Sequence, residues 1–364
     1  MIKNCYIHIP FCEKICSYCD FCKIYYNEKV VDKYLDSLEK EIKSLYQNES
    51  LETIYIGGGT PSCLSLKQLK KLFEILKILN KDKNIEYTIE GNFESTTKEK
   101  LLLYKQYGIN RLSFGIETTN KNNLKFLNRT LSKKQAKEII TYAKEIGLNN
   151  INVDLIYALP HETISDLKKD LDFILELDIP HLSTYSLIIE DNTILKLNNI
   201  KNINEDLDNE MYETICEYIK NNNYIHYEIS NFSKENYESH HNLCYWNNKE
   251  YYGFGLGSSS YINNKRITNT RSITNYLKEG FIKEEEIIDI NSKIEYEVIL
   301  NLRKKEGIDL INFKDKYKKD LLTIYNYNEL VDKEFLILNN NHLYIPEDKW
   351  YISNEIIVRL LNNR

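Results

Sequence analysis

The stretch HIPFCEKICSYCDFCK, residues 8–23, decides which fold this sequence can adopt, because it brings four cysteines into sixteen residues. The thiols are spaced as Cys12-x3-Cys16-x2-Cys19, and Cys22 follows three residues later. So many thiols in one loop indicate a metal ion, an iron–sulfur cluster or a redox-active dithiol. The organisation of the rest of the chain helps to decide between these possibilities.

Composition and charge exclude several classes of protein. The 364 residues are enough for one large domain and a smaller one. Eight cysteines are too few for a disulfide scaffold, and neither a signal peptide nor an apolar run of ~20 residues is evident. We therefore expect reduced thiols, a cytoplasmic location and no transmembrane segment, with at most transient contact at a membrane surface. A formal net charge of −6 argues against nucleic acid as a partner.

The first half of the chain alternates between β-rich runs and amphipathic helical stretches. The β-rich runs are residues 4–10, 53–59, 85–92, 111–117, 151–159 and 181–189, and residues 65–80 and 132–147 are helical examples between them. Such βα units predict a parallel sheet with helices outside it. Two units are missing for a closed eight-stranded barrel, so we predict an open, partial (β/α)6 TIM-like barrel over residues 1–190. In such a barrel the chemistry lies at the C-terminal ends of the strands.

This fold favours a cubane iron–sulfur cluster as the group held by the cysteine loop. A zinc site normally uses four ligands in two separated pairs, whereas Cys12, Cys16 and Cys19 follow the first predicted strand in one loop. Three thiolates suit a cluster that leaves one iron open to an external ligand. Zinc and a redox dithiol are the alternatives. Since a fourth thiolate has no place in such a cluster, we interpret Cys22 as a loop cysteine near the site.

The CxxxCxxC spacing after the first strand resembles the radical SAM superfamily. In that superfamily the open iron binds S-adenosylmethionine (SAM), and reduction through the cluster cleaves SAM to a 5'-deoxyadenosyl radical. The resemblance implies a [4Fe-4S] cluster and SAM as cofactors and an electron donor as a partner. Tyr18, directly before Cys19, fits the aromatic residue usual at that place.

Longer motifs narrow the resemblance to the family of oxygen-independent coproporphyrinogen III oxidase. IGGGTPS (56–62), GINRLSFGIET (108–118) and NVDLIYALPHET (152–163) occur in the order seen there. Carried over residue by residue, the SAM-binding pattern of the family implies contacts from Tyr6, Tyr18, Gly58, Gly59, Thr60, Glu90, Glu117, Arg129, Asp154 and the backbone of Ile188. Glu117 departs from the pattern, because the family typically has glutamine there. Without the resemblance, the glycines would indicate a tight turn and Arg129 a surface side chain.

Two branches of this family differ in function. The oxidase branch has an N-terminal extension and a CxC continuation of its cluster motif, whereas here eleven residues precede Cys12 and Phe21 stands two after Cys19. The sequence is more similar to the branch called HemW, whose members are haem chaperones and carry an HNxxYW motif, found here at residues 241–246. This resemblance implies haem as cargo and haem-acceptor proteins as partners. The alternatives are oxidative decarboxylation of coproporphyrinogen III and, in a third class, radical-based RNA modification.

The HNxxYW motif supplies candidate haem contacts. An imidazole next to aromatic rings can ligate haem iron and stack on the porphyrin, so His241, Tyr245 and Trp246 are predicted to contact haem. The alternative is that these side chains pack between domains. His8 and His181 lie in predicted strands and are interpreted as core residues or as support for the site.

After residue 190 the βα alternation stops. Residues 191–280 are predicted to be a connecting α+β segment, and residues 281–364 a smaller C-terminal helical, winged-helix-like domain. The predicted elements are helices over residues 205–223, 293–309 and 354–363 and a hairpin over 335–345. Because the chain is acidic, we expect this domain to form a lid over the barrel mouth rather than to bind DNA.

Overall fold

The computed structural model describes residues 1–363. Six parallel strands form the centre of the molecule. The first eight strands are β1 (Asn4–Ile9), β2 (Phe11–Cys12), β3 (Ile24–Tyr25), β4 (Leu51–Gly58), β5 (Lys81–Gly91), β6 (Arg111–Glu117), β7 (Asn150–Tyr157) and β8 (His181–Ser186). The helices between them are α1 (Glu28–Leu45), α2 (Leu66–Ile75), α3 (Lys98–Gln106), α4 (Lys121–Phe126), α5 (Lys133–Glu145) and α6 (Ile164–Glu176). Short 3₁₀ turns occupy Pro61–Cys63 and Leu76–Ile78.

The predicted partial barrel is confirmed. The strands pair in the order β1-β4-β5-β6-β7-β8, and all these pairs are parallel. Each predicted strand overlaps an observed one, with ends that differ by a few residues. Because parallel neighbours need crossover connections, the helices cover the outer face of the sheet and bury their apolar sides against it.

Side-chain caps explain where the helices of the barrel begin. Ser65 accepts a hydrogen bond from the Gln68 backbone while the Gln68 side chain accepts one from Ser65, so α2 starts in a capping box. Thr163 and Asp166 form the same arrangement at the start of α6. Because of these caps, α2 and α6 begin several residues after the preceding strands end. The loops between strand and helix therefore lie at the barrel mouth, where they can form a site.

The second half of the chain adds strands to both edges of the sheet. Its elements are α7 (Ile194–Leu197), α8 (Glu205–Lys220), β9 (Ile225–Glu228), β10 (Asn231–Ser233), α9 (His240–Trp246) and β11 (Tyr252–Phe254). β11 pairs in parallel with β1, whereas β10 and β9 extend the β8 edge antiparallel. The segment predicted to connect two domains is thus partly built into the nine-stranded sheet, which stays open.

The remaining elements form two small sheets with helices. They are β12 (Ser259–Ile262), β13 (Lys265–Asn269), α10 (Ile273–Tyr276), β14 (Ile282–Ile287), α11 (Ile290–Asn301), β15 (Ile308–Asp309), α12 (Leu310–Tyr317), α13 (Leu321–Ile324), α14 (Asn328–Asp332), β16 (Ile337–Asn339), β17 (His342–Tyr344), a 3₁₀ turn at Glu347–Ile352 and α15 (Ser353–Asn362). The orders β12-β13-β14 and β15-β17-β16 are antiparallel. The predicted C-terminal hairpin and final helix are present.

One expectation for this region is wrong. The helix predicted over residues 293–309 is α11 and ends at Asn301. Gly307 (φ +65°) does not close this helix but lies at the turn into β15, where a Cβ would lie 2.3 Å from the Leu343 carbonyl oxygen. The C-terminal region packs beside α9, where Asn248 Nδ2 donates to Glu297 Oε2 at 3.1 Å and Lys304 Nζ to Asn247 Oδ1 at 2.5 Å. Its role as a lid over the barrel mouth stays a prediction. No helix in the described part of the chain is both long and apolar enough to span a bilayer.

Candidate ligand-binding cavity

A cavity of about 440 Å³ opens at the C-terminal ends of the six parallel strands. The predicted site residues that line it are Cys12, Cys16, Tyr18, Cys19, Gly58, Gly59, Thr60, Glu90, Glu117, Arg129, Asp154 and Ile188. Tyr6 lies behind this wall, where its hydroxyl bonds to His8 Nδ1 at 3.0 Å and its ring approaches that of Tyr55 at 6.1 Å. The predicted residues that line the cavity therefore come from five strands and four loops.

The cysteine loop is held against the loop before Arg129. Ser17 donates from its backbone N–H to Leu127 O at 3.1 Å and from its hydroxyl to Phe126 O at 2.8 Å. On the other side, Thr60 Oγ1 lies 3.7 Å from Cys12 Sγ. Burial raises the pKa of the Cys16 thiol to about 11. These contacts give the loop a defined position at the cavity mouth.

Cys22 points away from the cavity. Its carbonyl is 2.6 Å from His8 Nε2, and its side chain packs against Gly257 in the glycine-rich segment after β11. A Cβ on Gly257, whose φ is +70°, would lie 2.5 Å from Cys22 Cβ, so only glycine fits there. This geometry separates Cys22 from the three cysteines that line the cavity.

Glu90 lies at the end of β5 and is held by two donors. Tyr55 OH donates to Oε1 at 2.7 Å and the Gly58 N–H to Oε2 at 2.9 Å. Burial raises the pKa of Glu90 to about 7, and the nearby charge of Asp154 acts in the same direction. A Cβ on Gly57 would come within 2.7 Å of the Glu90 carboxyl, which explains one glycine of the IGGGTPS motif.

Arg129 and Glu117 form a buried ion pair on the opposite wall. Arg129 Nη2 lies 2.7 Å from Glu117 Oε2, and the same nitrogen donates to Gly115 O at 2.8 Å. Tyr18 OH donates to Glu117 Oε1 at 3.0 Å. Glu117 has φ +58° at a register shift between β6 and β7, a backbone conformation that few residues with a Cβ adopt. The carboxylate that departs from the family pattern is thus neutralised locally.

The inner part of the cavity is polar, and the sequence analysis missed most of it. Arg111, Ser113, Asn152 and Ser183 line it next to Asp154. Asn152 Nδ2 donates to Asp154 Oδ1 at 2.8 Å, and Ser183 Oγ donates to Asn152 Oδ1 at 3.1 Å. Central parallel strands are usually continuously apolar, so the polar residues at every second position of RLSFG and INVDL were a signal that could have revealed this interior.

The HNxxYW motif lies on α9, which packs inside the barrel. The Glu86 carboxylate accepts the His240 and His241 N–H groups, both at 2.9 Å, and so caps the helix. His241 Nδ1 is 2.8 Å from Thr53 Oγ1 and Nε2 is 2.9 Å from Tyr245 OH. Both ring nitrogens are therefore engaged, and burial lowers the pKa of His241 to about 3.

The predicted haem contacts are thus not gathered around the cavity. His241 is 1% exposed and stacks on Tyr55 with 5.1 Å between ring centroids. Trp246 lies beside Arg303, whose guanidinium carbon is 5.9 Å from the centroid of the Trp246 ring. Asn242 is the residue of the motif that lines the cavity. In this arrangement His241 has no free nitrogen for iron, and haem contact by His241, Tyr245 and Trp246 stays a prediction.

An open parallel barrel with a CxxxCxxC loop at its mouth defines a radical SAM-type protein, and the model of the Radical SAM superfamily matches residues 6–174. The chain is 37% identical to a Lactococcus lactis protein named "Heme chaperone HemW", over 99% of this chain and 97% of the relative. It is 35% identical to the Bacillus subtilis protein of the same name, over 98% of each chain. The chain belongs to the HemW family.

A solved structure of coproporphyrinogen III oxidase (HemN) from Escherichia coli has the same fold. Its TM-score is 0.86 at 20% identity, and the match covers 98% of this chain and 89% of that one. At this level of identity the match describes the architecture alone.

Proposed function

We propose that this protein is a haem chaperone that binds a [4Fe-4S] cluster, SAM and haem and delivers haem to acceptor proteins. The observation that carries the proposal is the identity of 37% and 35% to two proteins named heme chaperones over nearly the whole chain. The likeness to the E. coli oxidase is one of fold at 20% identity. We infer a cytoplasmic location and an electron donor for the cluster as a further partner.

The donor set at the cavity mouth fits the cluster. Cys12, Cys16 and Cys19 line one cavity from a single loop, and thiolates are the ligands that iron–sulfur clusters use. Within residues 1–363 no three His, Cys, Asp or Glu side chains are grouped closely enough to hold one metal ion. A cubane does not require such a group, since each of its cysteines binds a different iron atom.

The polar groups of the cavity fit SAM, which carries an amino group, a carboxylate, a ribose and a sulfonium. A cluster held by Cys12, Cys16 and Cys19 would supply an electron for reductive cleavage of SAM bound beside it. In this proposal Glu90 and Asp154 would accept hydrogen bonds from the amino or hydroxyl groups of SAM, and Arg129 would donate to its carboxylate. Tyr55 and Gly58 keep the Glu90 carboxyl in one orientation, because each donates to a different oxygen.

The cavity mouth offers apolar surface for a porphyrin. Phe21, Tyr185 and Ile188 line the cavity and are 63%, 43% and 65% exposed. Exposed apolar groups around a cavity are typical of a ligand-binding or partner-binding surface. We therefore place the haem contact at this mouth in preference to the buried face of α9.

The function is tested with protein whose cluster has been reconstituted anaerobically. Haem titration should give a Soret band that saturates, and incubation with coproporphyrinogen III, SAM and a reductant should give no protoporphyrinogen. Transfer is measured by mixing haem-loaded protein with an apo-haemoprotein and following the acceptor's spectrum. Decarboxylation at enzyme-like rates without retained haem would contradict the proposal and favour the oxidase.

A further inference from the structure

Arg111 is a buried cation at the inner end of the cavity. It begins β6, is 1% exposed and lines the cavity together with Ser113 and Asn152. Its Nε is buried and has no hydrogen-bond partner in the described part of the chain. A guanidinium removed from water costs free energy unless an anion pairs with it.

The neighbouring carboxylates do not pair with this guanidinium. Glu90 accepts from Tyr55 and Gly58, and Asp154 accepts from Asn152. Both carboxyl groups are close enough for the charge of Arg111 to lower their pKa values, but other causes act more strongly. In contrast to Arg129, which lies 2.7 Å from Glu117, Arg111 forms no ion pair among residues 1–363.

The backbone of Arg111 also lies deeper along β6 than the carbonyl that Arg129 contacts. Arg129 donates to the carbonyl of Gly115, and Gly115 follows Arg111 by four residues on the same strand. At about 3.3 Å per residue this separates the two backbone positions by roughly 13 Å. A carboxylate bound beside the cysteine loop at Arg129 therefore leaves Arg111 for a second anionic group.

We propose that Arg111 is the receptor for a carboxylate of the cargo, namely one propionate of a tetrapyrrole whose ring lies at the apolar mouth. A guanidinium binds a carboxylate through two parallel hydrogen bonds, and exclusion of water strengthens both. Asn242 lines the same cavity and adds an amide to the site. The inference rests on the proposed function, because it takes haem as the cargo.

The test compares haem with haem dimethyl ester, in which both propionates are uncharged. Arg111→Met should weaken binding of haem by about 10- to 100-fold, the usual effect of losing a hydrogen bond to a charged group, and leave binding of the ester unchanged. Arg266→Met is the matched control, since the Arg266 Nε is also buried without a partner in the part of the chain that the structure describes. Arg266 lies on β13 over the Tyr296 ring, outside the cavity. Iron content and melting temperature verify that each variant is folded and carries its cluster.

Three results would overturn the inference. If Arg111→Met weakened the binding of haem and of the ester equally, Arg111 would support the fold and would not bind a propionate. In that case Arg111→Lys, which keeps the positive charge, would not restore a preference for haem over its ester. A loss confined to SAM affinity would assign Arg111 to SAM. Failure of the unsubstituted protein to bind either tetrapyrrole would contradict the proposed function itself, whereas in the first two cases haem binding by the unsubstituted protein persists.

Discussion

Arg129 and Glu117 are joined by an ion pair of 2.7 Å inside the cavity, and both side chains are 9% exposed. Glu117 stands where the family resemblance predicts glutamine. The sequence therefore predicted an additional negative charge near the SAM site. The structure shows that the guanidinium of Arg129 neutralises it, with Tyr18 OH as an additional donor. The pair sets the charge on this wall of the cavity before any ligand binds.

Glu117→Gln is expected to lower the free energy of unfolding of the SAM-free protein by on the order of 3 kcal/mol, because it leaves Arg129 buried without a counter-ion. Saturating SAM should reduce this loss, since its carboxylate provides a negative charge. Urea unfolding under anaerobic conditions, with and without SAM, measures both effects. Glu94→Gln serves as the control, because Glu94 is exposed and its charge also raises the pKa of Arg129. Equal losses in the two variants would contradict the assignment.

Alanine substitution of Cys12, Cys16 or Cys19 is expected to abolish the iron–sulfur absorbance after reconstitution, because each thiolate binds one iron. Cys22→Ala should retain it, since Cys22 packs against Gly257 outside the cavity. Iron and sulfide content per chain gives the measurement. Iron that falls as far in the Cys22 variant as in the others would show that the cluster ligands are misassigned.

SAM affinity should depend on the ionisation of Glu90. Burial raises the pKa of Glu90 to about 7, so the carboxylate that accepts from SAM is present above pH 7 and is lost as the pH falls below it. Affinity should drop by roughly tenfold per pH unit below the midpoint. Glu90→Gln should bind more weakly with a shallower pH profile. Tyr55→Phe, which removes a donor to the carboxylate, should move the midpoint to higher pH.

Asp154→Ala should weaken SAM binding by about 10- to 100-fold without loss of the cluster, because it removes an acceptor to a polar group of SAM. Isothermal titration at pH 8, where the competing protonation of Glu90 is small, isolates the effect. The cluster is monitored by its absorbance in the same samples. Unchanged SAM affinity would exclude Asp154 from the site.

His241→Ala is expected to lower the free energy of unfolding by about 2–4 kcal/mol and to leave the Soret band of bound haem unchanged, because the imidazole has two buried hydrogen bonds and a stacked neighbour. His240→Ala, at the exposed preceding residue, should cost little. Loss of the Soret band in the His241 variant with its stability intact would make His241 a haem ligand.

The same histidine predicts a pH effect. Burial lowers the pKa of His241 in the folded protein to about 3 from an ordinary value of 6.5. As the pH falls, His241 is therefore protonated in the unfolded chain before it is protonated in the folded protein. The stability due to neutral His241 is complete above pH 6.5 and is lost as the pH falls toward 3. Urea unfolding across this range should show a shallower pH dependence for His241→Ala than for the unsubstituted protein.

The barrel and its mouth were predictable because their signals are local. Hydrophobic runs, glycines and cysteine spacing are properties of short segments, and parallel strands bring their C-terminal ends to one edge whatever the rest of the chain does. Residues as distant as Cys12 and Asp154 could therefore be assigned to one cavity in advance. Arg111 was overlooked although RLSFG has polar residues at every second position, because that alternation indicates a polar interior without showing which side chain reaches a cavity.

The βα order, the cysteine loop and the family membership can be predicted from residue types and their spacing alone. The pairing of the buried polar groups, in contrast, depends on the folded structure. The fold joins Glu117 to Arg129, engages both nitrogens of His241 and leaves the Arg111 Nε without a partner among residues 1–363. The physical reason is that the state of a buried charge depends on which donors and acceptors reach it across the barrel. Two of those neighbours are distant along the chain, since Glu117 lies 12 residues from Arg129 and Thr53 lies 188 residues from His241.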